Sequence, residues 1–151
     1  MRILASAPAP NPSTREIPTM RFMIMFRNDG DSEVDVPPCL DLDEMGSFIG
    51  ELQGTGVLLG YEGLKPSEKG ARVRLTAGKR NVLDGPFTEA KELIAGFALV
   101  QLPSKAAAID LAEQFLRIAG QGSAEVREAF EPDGDVAEAG AVQAAGAVVA
   151  A

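Results

Sequence analysis

Histidine is missing from the sequence altogether, and cysteine occurs once, as Cys39. The first absence removes the side chain whose ordinary pKa lies nearest neutrality, so any mechanism built on an imidazole base is excluded. The second excludes an intrachain disulfide and suits a reducing compartment, which makes the cytoplasm the expected location. Cys39 follows Pro37 and Pro38 with no histidine to activate it, so a partly buried thiol is expected there rather than a nucleophile. Only oxygen ligands remain for a metal, and no calcium-loop spacing or phosphate-cradling glycine loop occurs. No metal and no cofactor are therefore expected. Long apolar runs are missing too: no stretch approaches the roughly 20 apolar residues of a membrane span. Residues 1–19 lack the apolar h-region of a secretory signal, because Ile3 and Leu4 run almost at once into prolines. Basic charge is scarce, with 14 Lys and Arg against 22 Asp and Glu and a formal net charge of -8. Nucleic-acid binding depends on basic side chains neutralising phosphates, so neither nucleic acid nor membrane is an expected partner. The acidity is read as an aid to solubility.

What is present suits one domain. A chain of 151 residues, 46% hydrophobic and 24% charged, is long enough to bury one core and too short for two. Residues 1–19 hold Pro8, Pro10, Pro12 and Pro18 and are expected to form a disordered leader. Met20 then opens MRFMIMF, the expected start of the folded unit and an alternative start of translation. At the other end, residues 132–151 are rich in alanine and glycine with almost no large apolar side chain, and a flexible tail is expected. The folding unit is placed at 20–131.

Within it, residues 20–26 alternate Phe22, Ile24 and Phe26 with Met23 and Met25, the pattern of a strand buried on both faces. Residues 28–38 are polar and turn-rich, hence a loop. Asp41, with Glu44 three residues on, caps a helix over 42–53 whose Leu42, Met45, Phe48, Ile49 and Leu52 recur at helical spacing. Gly54 and Gly56 end it, and 57–61 is a short buried strand. After a loop over 62–70, residues 71–76 form a half-buried strand that pairs with 81–83 across a turn at 77–79. Residues 93–102 have the bulk of a central strand. Ser104 then caps a second helix, with Ile109, Ala112, Leu116 and Ala119 as its stripe, widened by Leu111, Phe115 and Ile118. A last strand covers 123–130. The order β-α-β-hairpin-β-α-β implies an α+β, ferredoxin-like βαββαβ unit with an extra hairpin and both helices on one sheet face. Strands 20–26 and 93–102 are apolar on both sides, so a second copy is expected to bury the other face, as a homodimer.

The most distinctive stretch is Asp84-Gly85-Pro86-Phe87, followed by Thr88-Glu89, Lys91-Glu92 and Gly96-Phe97, with Gly56-Val57-Leu58-Leu59-Gly60-Tyr61-Glu62-Gly63-Leu64 upstream. Over residues 20–130 these blocks, in this order and spacing, resemble the DGPF group of YCII-related proteins. The resemblance implies a dimeric α+β barrel of ferredoxin-like subunits. It also implies one of two kinds of activity. Many DGPF members have no assigned reaction, and their genes sit beside those of extracytoplasmic-function sigma factors. Other relatives resemble small enzymes built on an Asp-His pair, one type acting in dehalogenation of chlorinated aromatic compounds. This sequence departs from the second kind, since it has no histidine.

Asp84 remains as the candidate catalytic residue, either a general base or substrate-orienting acceptor, or a turn residue whose oxygen bonds the amides around Phe87 and Thr88. Gly85, Pro86 and Phe87 shape the same turn. Glu62 is a candidate partner that would raise the Asp84 pKa by like-charge proximity. Arg72 and Arg74 share a strand face, where they clamp a small anionic ligand or form salt links with Glu62, Glu89 or Glu92. Lys79 and Lys91 carry no burial signal. Two functions stay open: a small-ligand-binding or accessory domain tied to sigma-factor signalling, and a lyase- or isomerase-like enzyme in which Asp84 moves a proton.

Overall fold

The computed structural model describes residues 19–28, 41–87 and 93–131. Residues 1–18 of the expected leader over 1–19, residues 29–40 with Cys39, residues 88–92 with Glu89, Lys91 and Glu92, and the expected tail from 132 lie outside these. Apolar alternation sets the strands: β1 spans Met20–Arg27, β2 Leu58–Gly63, β3 Ala71–Thr76, β4 Lys79–Asp84, β5 Ile94–Leu102 and β6 Ser123–Glu128. Helices α1 (Leu42–Gly54) and α2 (Lys105–Ala119) provide the two crossovers. Four strands form an antiparallel sheet in the order β2-β5-β1-β6, and β3-β4 form a separate two-stranded ribbon. This is the α+β, ferredoxin-like arrangement with an added hairpin.

Capping chemistry bounds both helices as expected. The Asp41 carboxylate accepts hydrogen bonds from the backbone N–H groups of Asp43 and Glu44, at 3.0 and 2.9 Å. Ser104 Oγ accepts from the Ala107 N–H at 3.1 Å, and Gly120 closes α2 in the left-handed region with φ 79°. The core is built from alternate residues of the sheet, Phe22, Ile24, Leu58, Ala98 and Val100, against Ala108, Leu111, Ala112 and Phe115 of α2. Met45, Phe48, Ile49 and Leu52 of α1 pack against this cluster without any of them being fully buried. Phe115 sits between the layers, its ring 5.2 Å from that of Phe26 and 4.9 Å from that of Phe48. The buried stripe of α2 is thus turned from the expected one, since Ile109 is 49% exposed while Ala108 is fully buried.

The alternate positions of the two central strands face away from the helices. Register pairs Met23 with Leu99 and Met25 with Phe97 in the two central strands, all four half-buried. Among the described residues, no helix or strand covers them. Charged groups rim this apolar centre: Arg27 bonds Glu125 at 2.8 Å, and Arg21 lies 3.4 Å from Glu131.

Three expectations need correction. β2 runs two residues beyond the expected 57–61, so Glu62 lies in a strand and not in a loop, paired with Phe97 while Gly63 pairs with Gly96. Gly96 permits this approach: a Cβ there would come within 2.9 Å of the Glu62 carbonyl oxygen. The hairpin turn is the two residues Ala77 (φ 48°) and Gly78 (φ 76°), the two positive φ values of a type I′ turn, which lets β4 start earlier than expected, at Lys79. Finally, β3 is not half-buried. Every residue of β3 and β4 is exposed, and among the described residues the hairpin pairs only with itself.

Candidate functional site

The hairpin leaves and rejoins the body at a backbone clamp. Pro66 leads into a single 3-10 turn over Ser67–Lys69, and Ser67 is the one buried polar residue among those described. The Gly70 N–H donates to the Ser67 carbonyl at 2.9 Å, and the Gly85 N–H donates to the Gly70 carbonyl at 3.0 Å. Ser67 Oγ then accepts the Phe87 N–H at 2.9 Å. Phe87 of the turn is thus bonded to Ser67 directly, and Gly85 is tied to it through Gly70. Gly85 is required at its place: a Cβ there would land on the Ser67 carbonyl, backbone against backbone. The Gly85–Pro86 peptide bond is cis.

This clamp revises the turn role expected of Asp84. The Phe87 amide is bonded by Ser67 Oγ, and Thr88 lies outside the described residues. Asp84 ends β4 opposite Ala71, exposed, and its carboxylate accepts no hydrogen bond among the described residues. Ser67 is the member that sequence reading missed. Its signal was faint: a small hydroxyl residue just after a proline in a loop, with nothing to show that the loop folds back on the turn.

Arg72 points to the Phe87 ring, its guanidinium carbon 4.1 Å from the ring centroid. A stacked guanidinium keeps its N–H edges free for a planar anion, and the stacking holds the fork in place. Arg74 occupies the same ribbon face, two residues along. Neither arginine forms an ion pair with Glu62 or any other acid among the described residues. Glu89 and Glu92 lie outside them. The pairing Ala71 with Asp84 and Arg72 with Leu83 sends Asp84 to the opposite ribbon face from Arg72 and Arg74. Glu62, exposed in β2, belongs to the other sheet. So the structure gathers Arg72, Phe87, Gly85, Pro86 and Ser67 at one corner, with Arg74 beside it. It separates Asp84 from the two arginines and leaves Glu62 and Asp84 on different sheets.

Elsewhere, a depression of about 380 Å³ at the C-terminal end of α2 is lined by Leu116, Gly120, Gln121 and Gly122 with Glu113 and Arg117. It shares no residue with the clamp, and its cation, Arg117, is already paired with Glu113. Among the described residues there is no cluster of potential metal ligands, and no helix is long and apolar enough to cross a membrane.

Removal of the Ser67 hydroxyl isolates the clamp's contribution. Ser67→Ala leaves the Phe87 N–H without its partner, so a loss of about 1–2 kcal/mol in unfolding free energy is expected by urea denaturation. A change within experimental scatter would mean that the turn holds itself without this bond.

A segment of 65 residues, 42% of this chain, is 40% identical to an uncharacterized protein of Rhizobium meliloti (strain 1021). That match spans about half of the relative, 52% of its length. The model of the YCII-related domain matches residues 20–132, most of the chain and all of its sheet and helices. With its clamped turn and its split βαβ sheet, the chain belongs to the YCII-related domain family.

Proposed function

We propose that the protein is a cytoplasmic, homodimeric small-ligand-binding domain that takes a small anion at the Arg72–Phe87 corner, as an accessory to sigma-factor signalling of the kind the DGPF resemblance suggests. The observation that carries the binding site is the stacked guanidinium: Arg72 is held over Phe87, with no carboxylate partner among the described residues and Arg74 beside it on the same face. An arginine oriented by an aromatic ring and left unpaired is suited to bidentate recognition of a planar carboxylate or phenolate. The homodimer rests on the apolar sheet centre of Met23, Met25, Phe97 and Leu99, which nothing among the described residues covers. A thermal-shift screen with aromatic and aliphatic carboxylates tests the site. A ligand that stabilises wild type and fails to stabilise Arg72→Met supports it, and equal stabilisation of both proteins overturns it.

The enzymatic reading has one observation in its favour, the exposed carboxylate of Asp84 beside Gly85, which accepts no hydrogen bond among the described residues. Its geometry is less favourable, because Asp84 and the arginines lie on opposite ribbon faces of one protomer. Under the binding reading, Asp84→Asn leaves the affinity of any ligand found in the screen unchanged within about two-fold. Under the enzymatic reading, the same variant loses about 100-fold or more of any turnover detected with that ligand.

A further inference from the structure

The β3–β4 hairpin is costly as a free-standing feature. All of its residues are exposed, and Val73, Leu75 and Leu83 are 67%, 73% and 59% exposed. An isolated two-stranded ribbon is marginal in water, and exposed aliphatic residues of this size on a self-paired ribbon call for a cover. Alternation groups Val73, Leu75 and Val82, flanked by Arg80 and Asp84, on the ribbon face opposite Arg72 and Arg74. The ribbon is also held in one direction, by the Ser67–Gly70–Gly85 bonds at its base and the tight Ala77-Gly78 turn at its tip.

Its charge indicates what covers it. Arg72, Arg74, Lys79 and Arg80 stand against one acid, Asp84, so the ribbon is net positive in a chain whose net charge is -8. The rest of the chain is net acidic, and each further copy of the chain carries that charge. We infer that the hairpin is an intersubunit arm whose Val73–Leu75–Val82 face lies against a second copy of this chain, guided there by charge. This deepens the homodimer proposed above and rests on it: the sheet faces form the centre of the interface, and the arm extends it.

Sedimentation of the full chain over a range of concentrations, at low and high salt, tests the arm. The variants are Val73→Glu with Leu75→Glu, Arg74→Glu with Arg80→Glu, and Met23→Glu on the sheet face, each checked for native circular dichroism. The arm sites are exposed and outside the core cluster, so these substitutions leave the core untouched. The expected result is a wild-type dimer that weakens with salt, and a dissociation constant raised about 100-fold or more by each arm pair. If Met23→Glu dissociates the dimer while both arm pairs associate like wild type, the arm is overturned and the sheet-face dimer stands. If the arm pairs dissociate it and Met23→Glu does not, the arm stands and the sheet-face reading fails. Arm variants with a lowered melting temperature but unchanged association would show that the chain covers its own hairpin, which overturns the arm. A wild type that stays monomeric throughout overturns both.

Discussion

Gly85→Ala is expected to lower the melting temperature by about 10 °C. The new methyl group would meet the Ser67 carbonyl, and both groups belong to backbone that is already hydrogen-bonded through Gly70 and Phe87. Neither partner is a flexible side chain that can swing aside. Relief therefore requires the hairpin base to part from the 3-10 turn, which breaks the Gly85–Gly70 bond and leaves Ser67 Oγ without the Phe87 amide. Overpacking of this kind costs about 3 kcal/mol, toward the upper end of what inserted methyl groups produce. Gly46→Ala in α1, where a Cβ meets nothing within 4 Å, is the control and should melt no lower than wild type. A Gly85→Ala protein that melts within about 2 °C of wild type would show that the clamp is looser than its geometry implies.

Phe115→Ala should be worse, with a loss of about 4 kcal/mol and a fall in melting temperature of about 15 °C. Phe115 is 6% exposed and touches the sheet through Phe26 and the other helix through Phe48. Because α1 has no fully buried residue of its own, this ring is a main point at which α1 is held to the rest of the core. Removing it opens a cavity that α1 and α2 cannot both close. Phe48→Ala should cost less, and the double variant should cost less than the two singles added together, by about 1 kcal/mol, since both singles already break the same edge-to-face pair. Strict additivity in chemical denaturation would indicate that the rings do not support one another.

The sequence disclosed the main elements because their signals are local. Asp41 and Ser104 are caps with a known reach, the alternation in Met20–Arg27 has period two, and the DGPF blocks stand in order. What escaped were pairings between distant segments. Glu62 was assigned to the loop over 62–70, yet its strand continues where Gly96, far along the chain, lets the two backbones close up. Val73 and Leu75 alternate with arginines as though one face were buried, but alternation cannot show whether anything lies against that face. At the candidate site, Arg72 and the DGPF turn were legible, whereas the Ser67 clamp and the Arg72–Phe87 stack depend on a fold-back that leaves no periodic trace. Asp84 was singled out by its place in the motif. Its separation from Arg72 and Arg74 appears only once the hairpin register is known.

The sheet order has a consequence for how the chain acquires its shape. β1 is the first of the described strands in chain order and lies inside the sheet, between β5 and β6, which both come much later in the chain. Until Ile94–Leu102 has left the ribosome, the greasy MRFMIMF segment has no strand to pair with, and its second edge stays open until Ser123–Glu128 follows. Assembly of the sheet is therefore dominated by contacts between remote segments, which slows folding and leaves the nascent chain open to self-association until β5 and β6 have emerged.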